Sequence, residues 1–335
     1  MTLSFKDIFK AQKRLQGHIA KTPILTNQLL NQELGAEIYF KCENFQKTGS
    51  FKFRGAANKI LKFKEDFGHL PTKIVAVSSG NHAQAVAYLA SQFGIKAIIF
   101  MEQKVSPYKV EVTKKYGAEV VLTKNRQDAD LFAQEKIKEG YLFIHPSDDE
   151  DIVCGQGTAC LEAIEEVGEF DAIFTPCSGG GLVIGSYIAA GMQKNKPLVF
   201  AVEPLVANDA AISFRTGKLF SFEESQNSIA DGAMVLKLSD YTYSYFSNLD
   251  GVYEIPEEEI IRWTQIVSTN LKVFVEPTGI LGMAGCAQFL KEQKLQNNSA
   301  QKSGQNSGKN LKILVILSGG NMSAQKASQI WQKAL

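Results

Sequence analysis

The chain has 335 residues, 44% of them hydrophobic, and a net charge of +1. That supports a sizeable core in two lobes or one large domain, and the charge balance implies no affinity for nucleic acid or an anionic membrane. No apolar run reaches the ~18 residues of a membrane span and the N-terminus shows no secretory pattern. The five cysteines (Cys42, Cys154, Cys160, Cys177 and Cys286) are scattered with no C-x-x-C pair, which reads as reduced, buried thiols in a cytoplasmic protein and not as a zinc or disulfide framework.

Periodicity predicts an amphipathic helix from about Phe5 to Ile19 and a strand over Glu37–Glu43. The strand runs into Lys47–Asn58, K-T-G-S-F-K-F-R-G-A-A-N, a turn followed by good helix formers as far as about Phe67. Thr48 and Ser50 are candidate N-caps, since a short hydroxyl accepts from the first-turn amides. Lys52 then falls in or near that first turn, where partial positive charge disfavours an ammonium. Phe51 and Phe53 flank it and would desolvate it. Both effects lower its pKa and suit it to Schiff-base chemistry; a solvated lysine is the ordinary alternative.

Further strands are expected at Lys73–Val77, Lys96–Phe100, Val120–Leu122, Ala172–Thr175, Leu198–Val202 and Ile313–Leu317. Helices are expected at about Ala83–Phe93, from Ser106-Pro107, at Asp128–Glu139, Gly157–Val167, after Gly181, at Pro256–Leu271, Thr278–Glu292 and the C-terminus. The alternation is that of an α/β protein with parallel sheets and crossover helices. Lys294–Asn310 is polar and low in complexity, and is expected as a mobile surface loop. No G-x-G-x-x-G follows a strand, which argues against a dinucleotide-binding dehydrogenase.

Three turns follow predicted strands, where open α/β sheets bind ligands. Ser78-Ser79-Gly80-Asn81-His82 opens a helix whose free amides suit an anion, a substrate carboxylate being the natural candidate. Ser178-Gly179-Gly180-Gly181-Leu182 has the glycines that let successive amides face a phosphate. Ser318-Gly319-Gly320-Asn321 reads locally as a tight turn.

The lysine motif S-F-K-F-R-G-A and these turns, in this order, resemble the pyridoxal phosphate enzymes of fold type II, the tryptophan synthase β type, and within them the serine/threonine dehydratase and serine racemase branch. The resemblance spans about Pro23 to the last helix. It implies a two-lobed α/β fold with parallel-rich twisted sheets flanked by helices: a large domain from residues 1–72 and 144–335, and a small one from 73–143. It implies pyridoxal 5'-phosphate joined to Lys52 beside Phe51, its phosphate on Ser178, Gly179, Gly180, Gly181 and Leu182, and its ring near Asn81, Glu276 and Ser318. The substrate would be held by Ser78, Ser79, Asn81, His82 and Gly155, with Gly155-Gln156-Gly157-Thr158 shaping the pocket and Ala230-Asp231-Gly232 a further pocket loop. Glu203, the Ala207 carbonyl and Asp209 resemble that branch's cation loop, whose hard oxygen ligands suit magnesium or calcium. The expected activity is β-elimination from L-serine or L-threonine to a 2-oxo acid and ammonia, with hydroxyaspartate dehydration as an alternative. Racemisation is the closest rival, with Ser79 acting opposite Lys52. A silent binding protein for cofactor or amino acid is a distant alternative. A homo-oligomer, commonly a dimer, is expected from relatives.

Overall fold

The protein is described by a computed structural model covering residues 2–105, 107–301 and 310–333. The chain starts with α1 (Phe5–Leu15), β1 (Ile24–Leu25), α2 (Gln28–Leu34) and β2 (Glu37–Cys42). The lysine helix α3 (Lys52–Phe67) leads into β3 (Lys73–Val77), α4 (Asn81–Phe93), β4 (Lys96–Glu102), α5 (Pro107–Lys115), β5 (Glu119–Thr123), α6 (Arg126–Lys138) and β6 (Leu142–Phe143). Then come α7 (Glu150–Val167), β7 (Ala172–Pro176), α8 (Gly181–Ala190), β8 (Leu198–Pro204), α9 (Asp209–Thr216), α10 (Asp240–Phe246) and β9 (Gly251–Ile255). The last elements are α11 (Glu257–Leu271), α12 (Pro277–Gln301), β10 (Lys312–Leu317) and α13 (Ala324–Trp331).

These form two sheets. One has the order β1-β2-β10-β7-β8-β9, all parallel except the β1–β2 pair. The other, β5-β4-β3-β6, is wholly parallel and is drawn from residues 73–143. Strands covered on both faces read as unbroken apolar runs. In β10, Ile313, Val315 and Leu317 face the core shared with α11 and α12, while Leu314 and Ile316 face the one shared with α1, α7 and α8. In β3, Ile74 and Ala76 point one way, Val75 and Val77 the other.

Helix α7 begins at Glu150, not at Gly157 as its sequence suggests. Asp149 caps it, accepting from the amides of Asp151 and Ile152, and Ile152 to Ile164 are buried all round, so no amphipathic stripe marks its start. Gly155 lies within it against α3: a Cβ there would stand 2.6 Å from the Arg54 carbonyl oxygen and 2.8 Å from Gly55 Cα. Gly157 makes the same close approach to Gly185 of α8.

Two residues past Lys52, Arg54 is fully buried and ion-paired with Glu43 at 2.7 Å and Glu162 at 2.8 Å. Lys41 pairs with Glu162 at 2.7 Å and donates to the Thr22 carbonyl. Two cations and two anions satisfy each other, as buried charges must, and fix α3 to β2 and α7.

The polar stretch expected as a loop is helical from Lys294 to Gln301, a continuation of α12. Its remainder through 309 lies outside the described residues, as does Ser106 ahead of α5.

Candidate active site

Strands β2, β10, β7 and β8 are parallel, so the turns leaving their carboxyl ends share one edge of the sheet. After β2 the chain makes two short 3₁₀ turns, with Thr48 left-handed at φ 60°. The lysine turn is then stitched to the turn after β10: Phe51 N–H donates to the Ser318 carbonyl at 3.1 Å and Gly320 N–H to the Gly49 carbonyl at 3.0 Å. Ser50 and Gly319 form a β-bridge.

Lys52 is the first residue of α3. Neither expected cap serves that helix: its N-cap is Phe51, with no side-chain bond, and the Ser50 and Thr48 hydroxyls are buried without a partner. Thr48 and Gly49 take the left-handed turn that the β10 loop packs against, which sets the chain ahead of α3 in place of a side-chain cap. Lys52 Nζ donates to the Pro146 carbonyl at 2.8 Å and stands 5.0 Å from the centre of the Phe51 ring. Burial lowers its pKa to about 8. Only one of the flanking aromatics meets the amine; Phe53 packs edge-on against Tyr88 in the core of the second sheet.

After β3, Gly80 N–H donates to Ser78 Oγ, and Ser79 is half-buried at the head of α4. Asn81 Nδ2 donates to Glu276 Oε1 at 2.7 Å, and its Oδ1 accepts from Asn321 Nδ2 at 2.8 Å. This chain of bonds joins the turns after β3 and β10 to the head of α12. Burial, with Asp231 nearby, lifts the Glu276 pKa to about 7. His82 is buried, and its Nε2 must carry the proton because its partner at 2.7 Å is the Ile144 carbonyl. Burial and the Lys52 charge hold its pKa near 3. The ring is therefore neutral, with only the bare, unpartnered Nδ1 left over. It has no hydrogen to give a carboxylate. Among the described residues the N–H groups of Asn81, His82 and Ala83 have no protein acceptor, so an anion at this helix start is served by backbone.

The glycine turn after β7 has Gly180 left-handed at φ 87° as the N-cap of α8. The N–H groups of Gly179, Gly181, Leu182 and Val183 have no protein acceptor among the described residues. Side chains at 179, 180 and 181 would collide with Ser147, Thr242 and Gln156 respectively, so only glycine lets the turn lie this close to them. Thr242 Oγ1 donates to the Gly179 carbonyl at 2.7 Å. Ser318, 2% exposed, starts the neighbouring turn.

A depressed-pKa amine, an open-amide turn for a phosphate and a second open-amide helix start for a carboxylate lie side by side. Such a set fits pyridoxal phosphate, whose aldehyde needs an amine and whose phosphate needs donors. Gly155 stands apart from this set, serving helix packing. The segment 144–148, returning from β6 to α7, has no sequence signature yet supplies Pro146 O, the Ile144 carbonyl and Ser147; backbone carbonyls leave no mark in residue identity.

At the end of β8, Glu203 accepts from the amides of Ala210 and Ala211. Asp209 is 1% exposed and neither carboxylate oxygen has a hydrogen-bond partner. Burial lifts its pKa to about 7, and burial with Asp209 beside it pushes Glu203 well above the carboxylate range. Ala207 lies in the turn between them. Among the described residues no three His, Cys, Asp or Glu side chains gather as a metal cluster.

Residues 15–302 match the family described as pyridoxal-phosphate dependent enzyme. The L-threo-3-hydroxyaspartate ammonia-lyase of Saccharomyces cerevisiae is 37% identical, the match covering 96% of this chain and 94% of that protein. The serine racemase of Schizosaccharomyces pombe is also 37% identical, over 96% and 95%. Among solved structures, the serine racemase of Dictyostelium discoideum superposes with a TM-score of 0.84 at 36% identity, covering 96% of this chain and all of that one (100%). A threonine deaminase from T.th. gives a TM-score of 0.83 at 35% identity, over 96% and 99%.

Proposed function

The chain belongs to the family of pyridoxal-phosphate dependent enzymes, and from that membership we propose that it is an ammonia-lyase that dehydrates and deaminates small β-hydroxy amino acids, L-serine, L-threonine or threo-3-hydroxyaspartate, to a 2-oxo acid and ammonia. One observation carries the reading: the amine of Lys52, its pKa lowered to about 8, stands beside two turns whose amides are open. Lys52 would hold the coenzyme, the amides of Gly179, Gly181, Leu182 and Val183 its phosphate, and Ser178, Phe51, Asn81, Glu276 and Ser318 its surroundings. Bound there, the coenzyme supplies an electron sink that acidifies the substrate Cα–H bond. The amides of Asn81, His82 and Ala83 hold the substrate carboxylate beside Ser78 and fix the Cα–H bond relative to Lys52. Pro146 O accepts one N–H of the lysine and so aims its lone pair; the amine then takes the Cα proton. Ser318 offers the ring nitrogen a neutral hydroxyl.

Screening 2-oxo acid release from L- and D-hydroxy amino acids, with serine enantiomers separated by chromatography, tests this. Release from at least one L-hydroxy amino acid is expected, abolished in Lys52→Ala. No release from any of them, with a coenzyme absorption band that no amino acid moves, would sink it and revive a binding protein.

Relatives named serine racemase, as similar as the lyases, favour racemisation as a second activity, with Ser79 handling the proton on the face opposite Lys52. Ser79→Ala should then keep elimination and lose D-serine formation; abundant D-serine with little pyruvate in the parent would reverse the ranking.

The finer features follow the same reading. Residues 73–143, which carry their own sheet, form the small lobe, with 1–72 and 144–335 the large one. Glu203, the Ala207 carbonyl and Asp209 hold magnesium or calcium, supported by two buried carboxylates, Asp209 close enough to raise the Glu203 pKa and its own oxygens unpartnered. The protein is a homodimer of a reducing compartment such as the cytoplasm, a placement supported by its buried, unpaired cysteines.

A further inference from the structure

Gln156 sits inside α7, fully buried (0% exposed), with its amide between α3 and the glycine turn. On one side a Cβ at Gly55 would stand 3.0 Å from its Cγ; on the other, its Oε1 fills the space a side chain at Gly181 would need. The orientation of the amide is settled by chemistry. Its neighbour at 3.0 Å is the Pro146 carbonyl, which can only accept, so Nε2 faces Pro146 and Oε1 faces the turn. The same carbonyl accepts from Lys52 Nζ. Oε1 is left buried with no hydrogen-bond partner, an expensive state for a polar atom.

An acceptor beside a phosphate cradle is the wrong group for a phosphate dianion, which brings only further acceptors. It is the right group for a singly protonated phosphate, whose P–O–H can donate to it. The side chains nearest the glycines of the turn, Ser147, Leu238, Ser239, Thr242 and Gln156, are uncharged. The groups that favour the dianion are the open amides of the turn and the Lys52 amine, which shares the Pro146 carbonyl with Gln156, and the Gln156 acceptor opposes them. We propose that Gln156 Oε1 accepts a hydrogen bond from the coenzyme phosphate and so keeps it as the monoanion at neutral pH. Gln156 is thereby a coenzyme-binding residue. The inference rests on the reading that the phosphate occupies the glycine turn.

Phosphorus NMR of the holoenzyme across pH 6 to 9 tests it without any substrate. A free phosphate monoester loses its second proton near pH ~6. The expected parent resonance stays at the monoanion position through about pH 8, a rise of roughly two units in the apparent phosphate pKa. In Gln156→Leu, of similar bulk but with no acceptor, the resonance should move to the dianion position at pH 7.5, whereas Gln156→Glu, which restores an acceptor, should hold it at the monoanion position. A parent resonance at the dianion position overturns the proposal, and does so even if Gln156→Leu fails to fold; so does a resonance unmoved in a folded Gln156→Leu. Pyridoxal lacking the phosphate provides the separate check. Equal affinity for pyridoxal and its phosphate would show the turn to be empty, which overturns the underlying reading and this inference with it.

Discussion

Lys52 shows how burial alone prepares an amine. Its ordinary pKa of 10.5 falls to about 8 because burial penalises the ammonium. The folded state therefore gives up this proton before the unfolded state does, and between pH ~8 and ~10.5 the unfolded chain binds more protons. Stability of the coenzyme-free protein should rise with pH through that window, and the full penalty should apply below it. Lys52→Met is thus expected to lose the coenzyme absorption band yet to resist urea at pH 7 as well as or better than the parent, the advantage shrinking above pH ~10. A Met variant weakened equally at every pH would contradict this account. His82, with its pKa near 3, stays neutral throughout the assay range and should contribute no inflection to a pH profile above ~5.

At the scale of elements, the site depends on how closely α3, α7 and α8 approach. Gly155 and Gly157 are the points of contact, and each leaves no room for a methyl group. Gly155→Ala would press on the Arg54 carbonyl and displace the first turn of α3, which carries Lys52. Overpacking of this kind costs about 1–3 kcal/mol, to be read as a lowered urea midpoint at constant m-value together with a reduced kcat. An unchanged midpoint would mean that α3 and α7 separate freely. The buried quartet of Lys41, Glu43, Arg54 and Glu162 argues against such freedom, since it ties α3 to α7 and to the end of β2.

Over the whole molecule, the parallel sheet brings the Glu203 and Asp209 carboxylates and the glycine turn to the same edge. Cys177 N–H donates to the Val202 carbonyl at 2.7 Å, so the glycine turn starts one residue beyond the strand pair that presents Glu203. Asp209 and Glu203 both have raised pKa values. A carboxyl raised on folding keeps its proton when the unfolded chain has lost it, so stability falls as pH rises from ~4 through ~7. In a chelator, the melting temperature should therefore drop between pH 5.5 and 8. Millimolar magnesium or calcium should recover much of that loss, and Asp209→Asn should abolish the recovery. Some slope should persist in that variant, because Glu276 is raised to about 7 as well. A cation effect equal in parent and variant would place the ion elsewhere.

Short stretches of residues were enough to encode the apolar runs of the parallel strands, the glycine turns after them, and the lysine at the start of its helix. The same local patterns misjudged α7, which is buried all round and so lacks a one-sided stripe, and they gave Thr48 and Ser50 a capping role that the stitched β10 turn takes from them. It took the folded arrangement to establish that Pro146 O meets Lys52, that the His82 ring is spent on Ile144, and that Gln156 Oε1 is aimed at the glycine turn. The first two join segments far apart in the chain through backbone carbonyls common to every residue, and the third rests on how closely α7 approaches the turn. Such contacts follow from sheet register and helix approach, which no local pattern of side chains specifies.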